Sequence, residues 1–155
     1  MFSRSDLQAL SEDELTSWAW SGGYPGLHYT VYPQFAFSPP DSEQHIRLTR
    51  APRVHGDNGL RFWLSSEWGQ DWTGREIYFS SYIHGAAFEQ ISEEEFLRWV
   101  REASAGLIVP LSLPLNPSGH FLGALLQHSR NADFTISILA EYDDELIHFW
   151  WDTTA

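Results

Sequence analysis

Among the side chains able to do chemistry, the seven histidines come first: His28, His45, His55, His84, His120, His128 and His148. Their spacing contains neither an HxxxH pair for one helical face nor an HxH pair for one strand face, so no metal site is implied. Ser118-Gly119-His120 sets a hydroxyl beside an imidazole. Adjacent strand residues point to opposite faces and no GxSxG elbow surrounds the serine, so the Asn116-Pro117-Ser118-Gly119 stretch reads as a turn. Gly22-Gly23-Tyr24-Pro25-Gly26 lacks both GxGxxG and GxxxxGK[ST] spacing and reads as a helix stop followed by a turn. The carboxylates nominate no acid–base pair: Glu93, Glu94 and Glu95 suit a helix start, and Asp143-Asp144 suits a turn.

What this leaves is the stretch Glu141-Tyr142-Asp143-Asp144-Glu145-Leu146-Ile147-His148-Phe149-Trp150-Trp151-Asp152, which combines dense acid with consecutive large aromatics. If Ile147, Phe149 and Trp151 point inward on a strand, then Leu146, His148 and Trp150 occupy the opposite face, where burial needs a second layer or a partner. The chain has eight Trp: Trp18, Trp20, Trp63, Trp68, Trp72, Trp99, Trp150 and Trp151. Several fall on turns or on the polar phase of strands, and Trp at a surface is characteristic of binding contacts or of an aromatic ligand pocket.

The elements that must position these residues follow from periodicity and caps. Ser11 with Glu14, and Ser92 with Glu95, form capping boxes opening two principal helices, the second carrying the stripe Phe96, Trp99, Val100, Ala103 up to Gly106. A further turn is expected near residues 5–10. Alternation predicts strands over residues 27–37, 44–50, 60–66, 75–83, 120–128, 134–141 and 145–151, with Asp57-Asn58-Gly59 as a hairpin turn before the third. Pro33 marks an edge or a bulge, Pro39-Pro40 closes the first strand, and the prolines within 107–117 make that stretch an extended connector. Segregated strands with short connections predict an α+β fold: a mainly antiparallel sheet of about six or seven strands, two principal helices and helices on one face. No linker or repeat divides residues 1–155, so one domain is expected.

Composition narrows the partners. The formal charge is -12, and all nine basic residues are Arg. A nucleic-acid or anionic-membrane partner is therefore disfavoured, and lysine-based Schiff-base chemistry is excluded. With no cysteine there is no disulfide, thiolate nucleophile or sulfur-ligated metal. Residues 1–10 lack the pattern of a secretory leader and no apolar run is long enough to span a bilayer, so a soluble cytoplasmic protein without cofactor is expected. Residues 102–155 carry seven acids against Arg130 alone, while residues 41–101 carry ten acids against seven Arg, so the field is uneven.

In its general architecture and in the acidic Glu141-Tyr142-Asp143-Asp144-Glu145 stretch, the chain resembles the small acidic immunity proteins that bacteria encode beside secreted toxins. That resemblance implies a one-to-one complex covering a basic toxin domain. The expected contact set is Tyr142, Asp143, Asp144, Glu145, His148, Trp150 and Asp152, with acids steering association and aromatics supplying buried area. The alternative is a small-molecule site or enzyme lined by Trp63, Tyr78, Tyr82 and Trp99, with His84 or a nearby carboxylate as its polar group. A deep pocket with converging polar groups would favour the alternative, and an acidic aromatic surface would favour the first.

Overall fold

In the computed structural model, the structure describes residues 1–20, 24–38, 43–70, 72, 74–111, 119–128 and 135–153. The expectations for the side chains of Trp18, Ala19 and Trp20, for Gly22-Gly23, for Pro39-Pro40, for residues 112–118, for the connection through residues 129–133 and for Phe134 at the start of the next strand fall outside them. Element order is α1 (Arg4–Gln8), α2 (Glu12–Trp20), β1 (His28–Tyr32), β2 (Gln44–Pro52), α3 (Leu60–Trp68), α4 (Phe79–Gly85), β3 (Phe88–Ile91), α5 (Glu93–Ala103), β4 (Phe121–Gln127), β5 (Thr135–Tyr142) and β6 (Glu145–Thr153). Single 3-10 turns occupy Gln34–Ala36 and Glu76–Tyr78.

The strands form one antiparallel sheet in the order β1-β2-β6-β5-β4-β3, confirming the α+β class. β1 is an edge strand that ends before Pro33, which has no N–H to give a ladder. The carboxyl-terminal β6 runs through the middle, with Thr49 and Leu139 flanking His148, and Arg47 and Ser137 flanking Trp150. Two-residue alternation along β2, β5 and β6 therefore feeds two separate layers.

One face carries Ile46, Leu48, Ile138, Ala140, Ile147 and Phe149 against Phe96, Val100 and Ala103 of α5. That helix begins with the expected capping box, Ser92 Oγ accepting from the Glu95 backbone N–H at 3.1 Å. The other face meets α1–α4: Leu125, Leu139 and Leu146 pack with Leu7, Leu15, Phe62, Trp63, Phe79 and Ile83. Helices cover both faces, not one, because β2, β4, β5 and β6 have buried residues at both phases of their alternation.

Two expected strands are helices. Residues 60–66 belong to α3, whose Leu60, Trp63, Leu64 and Trp68 recur at i, i+3, i+4 and i+8. Gly59 starts that helix with φ 91°, a left-handed conformation that glycine adopts without a Cβ clash, while Asn58 Oδ1 accepts from Leu60 N at 3.2 Å. The Asp57-Asn58-Gly59 turn thus opens a helix instead of closing a hairpin. Residues 75–83 form a 3-10 turn and α4, in which Phe79 and Ile83 are buried at helical spacing while Ile77, which a strand would put on the same face as both, is 81% exposed. β3, unforeseen, fills the sheet edge beside β4.

Candidate functional site

The face under α3 and α4 buries an unusual amount of polarity for a sheet interior. Arg47, Thr49, Ser137, Glu141 and His148 come from the strands, and Ser65, Ser66 and Glu67 come from α3. Buried polar groups cost free energy unless they are paired, so each contact here needs an account.

His148 is 2% exposed and held at both ring nitrogens: Ser66 Oγ lies 2.6 Å from Nδ1 and Ser137 Oγ 2.8 Å from Nε2. Burial, followed by the Arg47 charge, pulls its pKa down to about 3. A neutral imidazole of such low basicity, whose Nδ1 partner is a hydroxyl and not a carboxylate, is a poor base for activating Ser137. It serves as a strut tying β6 to β5 and α3.

Glu67 is 1% exposed, with Oε1 3.5 Å from His148 Nε2 and Oε2 accepting from Gln70 Nε2 at 3.3 Å. Burial pushes its pKa up to about 7, opposed by the nearby Tyr82 hydroxyl, the Arg47 guanidinium and the Trp63 indole. Among the described residues, Oε1 receives no hydrogen bond of good geometry. Its backbone carbonyl accepts from Trp72 Nε1 at 2.7 Å, which fixes the loop after α3. Tyr82, raised by burial and by Glu67, stays a hydroxyl donor at any physiological pH, and it accepts from Gln127 Nε2 at 3.0 Å. Gln127 Oε1 is likewise buried without a donor.

These groups line one partly open cavity of about 530 Å³, bounded by Glu67, Gln127 and Ser137 on its polar side and by the rings of Trp72, Tyr78, Tyr82 and Trp150 on its aromatic side. The size suits a small organic ligand, and the mixture of rings with a few converging polar atoms is the usual composition of such sites. Chemically, a carboxyl that titrates near neutrality can accept a ligand's proton or its N–H.

The residues expected from sequence are distributed differently. Tyr142 is buried on the α5 face against Phe121, with ring centroids 5.5 Å apart. Glu145 pairs with Arg50, and Asp152 sits 3.7 Å from His45. Asp143 and Asp144 are exposed at the β5–β6 hairpin, Asp143 accepting from His120 N at 3.0 Å. His148 is covered by α3, and Trp150 lines the cavity. The expected acidic aromatic surface is therefore not assembled, because β6 is a central strand with both faces covered by helices. Of the alternative set, Tyr78 and Tyr82 line the cavity, whereas Trp63 is core, Trp99 packs on the α5 face and His84 bonds the Leu10 carbonyl at 2.7 Å. The carboxylate at the cavity is Glu67, which the strand reading of residues 60–66 hid.

Among the described residues no group of three or more His, Asp or Glu could hold a metal ion, and no helix is long and apolar enough to cross a membrane. No protein-family model, curated protein or solved structure matches this chain.

Proposed function

We propose that this protein binds a small organic molecule with N–H donors in the cavity between α3, α4 and strands β4–β6. One observation carries the reading: two residues lining the cavity, Glu67 and Gln127, each hold a buried Oε1 acceptor without a hydrogen-bond partner among the described residues, and four aromatic rings line the same space. A buried acceptor without a donor costs about 1–3 kcal/mol, and a ligand N–H would remove that cost while the rings bury its apolar part.

The test is a fragment screen by two-dimensional NMR, following the indole N–H signals of Trp72 and Trp150. Amine- or amide-bearing fragments should shift both. Gly85 lies at the cavity, and a Cβ built there meets no atom within 4 Å. Gly85→Phe can therefore fill the opening without displacing core atoms and should abolish those shifts; unchanged binding in that variant would overturn the proposal.

A second reading, neutralisation of a basic toxin domain through a protein contact, is supported by the charge of -12 and the exposed Asp143-Asp144 hairpin. On that reading, a toxin encoded beside this chain is captured, and Asp143→Arg with Asp144→Arg removes both the capture and its salt dependence. Capture that survives both substitutions would count against the hairpin as the contact.

A further inference from the structure

The proposed cavity has a neighbour. A second space of about 530 Å³ opens over β1, β2 and β6, lined by Tyr29, His45, Arg47 and Asp152, and it shares Gln70, Arg75 and Trp150 with the first. Resting on the ligand-binding reading above, we propose that the two spaces take one amphoteric small molecule: an N–H donor group on the Glu67–Gln127 side of Trp150, and an oxyanion on the Arg47 side.

Arg47 carries the second half of the argument. It is 8% exposed, and its guanidinium carbon stands 4.3 Å from the centre of the Tyr29 ring. Among the described residues it makes no ion pair, whereas Arg50 and Arg53 are matched by Glu145 and Glu141. A buried guanidinium resting on a ring, with no described carboxylate within ion-pair distance, leaves N–H donors for an incoming oxyanion, which its planar fork can engage in two parallel bonds. Burial already works against its charge, the opposing pull of Tyr29 and Glu67 notwithstanding. Asp152, the one acid among the described residues lining this space, is taken up with His45 at 3.7 Å.

Gly69 leaves the room that Tyr29 and Arg47 occupy on the wall of the second space. A Cβ there would run into both the Tyr29 hydroxyl and the Arg47 guanidinium, so the residue after α3 must be bare for these two groups to stand where they do.

The strand register sets the ligand's length. Arg47 is the cross-strand partner of Trp150, and Trp150 of Ser137, all three on the same face. Two inter-strand steps put the two compartments on the order of 10 Å apart, roughly the span of three extended peptide residues. An aromatic or planar middle section would lie against Trp150.

The test uses simple probes for each half, at pH 8, where Glu67 is ionised: benzylammonium for the donor side, benzyl alcohol as its uncharged counterpart, and acetate for the Arg47 side, each followed at the Trp150 indole. Benzylammonium and acetate should each saturate, and each should bind in the presence of the other. Glu67→Gln should weaken benzylammonium by about tenfold or more and spare acetate, and Arg47→Met should do the reverse. Arg47→Lys, which keeps the charge without the fork, should recover part of the acetate binding and shows that the loss in Arg47→Met is not misfolding. Acetate that fails to saturate, that ignores Arg47→Met, or that competes with benzylammonium overturns the amphoteric ligand while leaving the first cavity's role intact. Equal binding of benzyl alcohol and benzylammonium, blocked by Gly85→Phe, also overturns it and leaves a plain aromatic pocket. If no probe moves the indole, this inference and the small-molecule reading fall together.

Discussion

Beneath α5 the central strands present Ile46, Leu48, Ile138, Ala140, Ile147 and Phe149, while one residue along the same strands they present Arg47, Thr49, Ser137, Glu141 and His148 to the other helical layer. The two faces share a backbone and a twist, so their difference lies in the side chains alone. The α5 face needs only packing. The α3–α4 face accepts the desolvation of a carboxyl, a guanidinium and an imidazole, which hydrophobic residues of similar volume would avoid. Buried polar groups of this kind often add little to stability, and the cavities beside them offer another use.

The comparison can be broken most severely by truncating the apolar side. Phe149→Ala should cost about 3–5 kcal/mol in denaturant-measured stability. The folded fraction should keep its affinity for the amine probe, since Phe149 faces away from the cavity; a loss of affinity matching the loss of stability would show that the two faces are not independent.

Next in size is a pH effect confined to the polar face. Glu67 has a folded pKa of about 7 against an ordinary 4.5, so the unfolded chain loses its proton first, and this group's contribution, complete below 4.5, is lost as pH rises through 7. His148 runs the other way: with a folded value of about 3 against 6.5, its contribution is complete above 6.5 and is lost as pH falls through 3. Between 4.5 and 6.5 the two slopes oppose, leaving the wild type flat as far as this pair is concerned. Glu67→Gln removes one slope. The stability of that variant minus that of the wild type should therefore rise by about 3 kcal/mol between pH 4 and pH 8. A difference that stays constant with pH would place Glu67 in an ordinary solvated setting.

A smaller loss, about 1–3 kcal/mol, is expected for His148→Leu, which strands the Ser66 and Ser137 hydroxyls. Adding Ser66→Ala and Ser137→Ala should recover much of it, because no hydroxyl is then left stranded at that position. The smallest effect belongs to the hairpin: Asp143→Arg with Asp144→Arg should stay within about 0.5 kcal/mol of wild type and leave the probes' affinities unchanged. Thermal unfolding and the same NMR titrations check both.

How much of this was legible in the sequence differs between the faces in the same way. Alternation identified β2 and β4–β6 to within a few residues, and the Ser92–Glu95 box located α5, since the apolar layer follows simple periodicity. The polar layer was obscured where periods compete. In residues 60–68 a strand phase and a helical i, i+3, i+4, i+8 phase are both present, and the turn residues before them serve either element. Reading the helical phase would have put Glu67 on the buried stripe with Leu60, Trp63 and Leu64, an acid where a leucine was due. That mismatch was the available signal for the site. His148 and Trp150 stood out in sequence as residues on the wrong side of a strand, but as surface candidates, because no local pattern told of α3 folding over them. Arg47 gave no sign at all: its burial depends on the tertiary packing of Tyr29 and α3.

The central claim is that Glu67 is a buried, ligand-facing carboxyl, and its side-chain carbon signal measured against pH tests this without reference to any other group. The account predicts a midpoint of about 7 that moves lower when benzylammonium fills the cavity. A midpoint near the ordinary 4.5, indifferent to the amine, would contradict it.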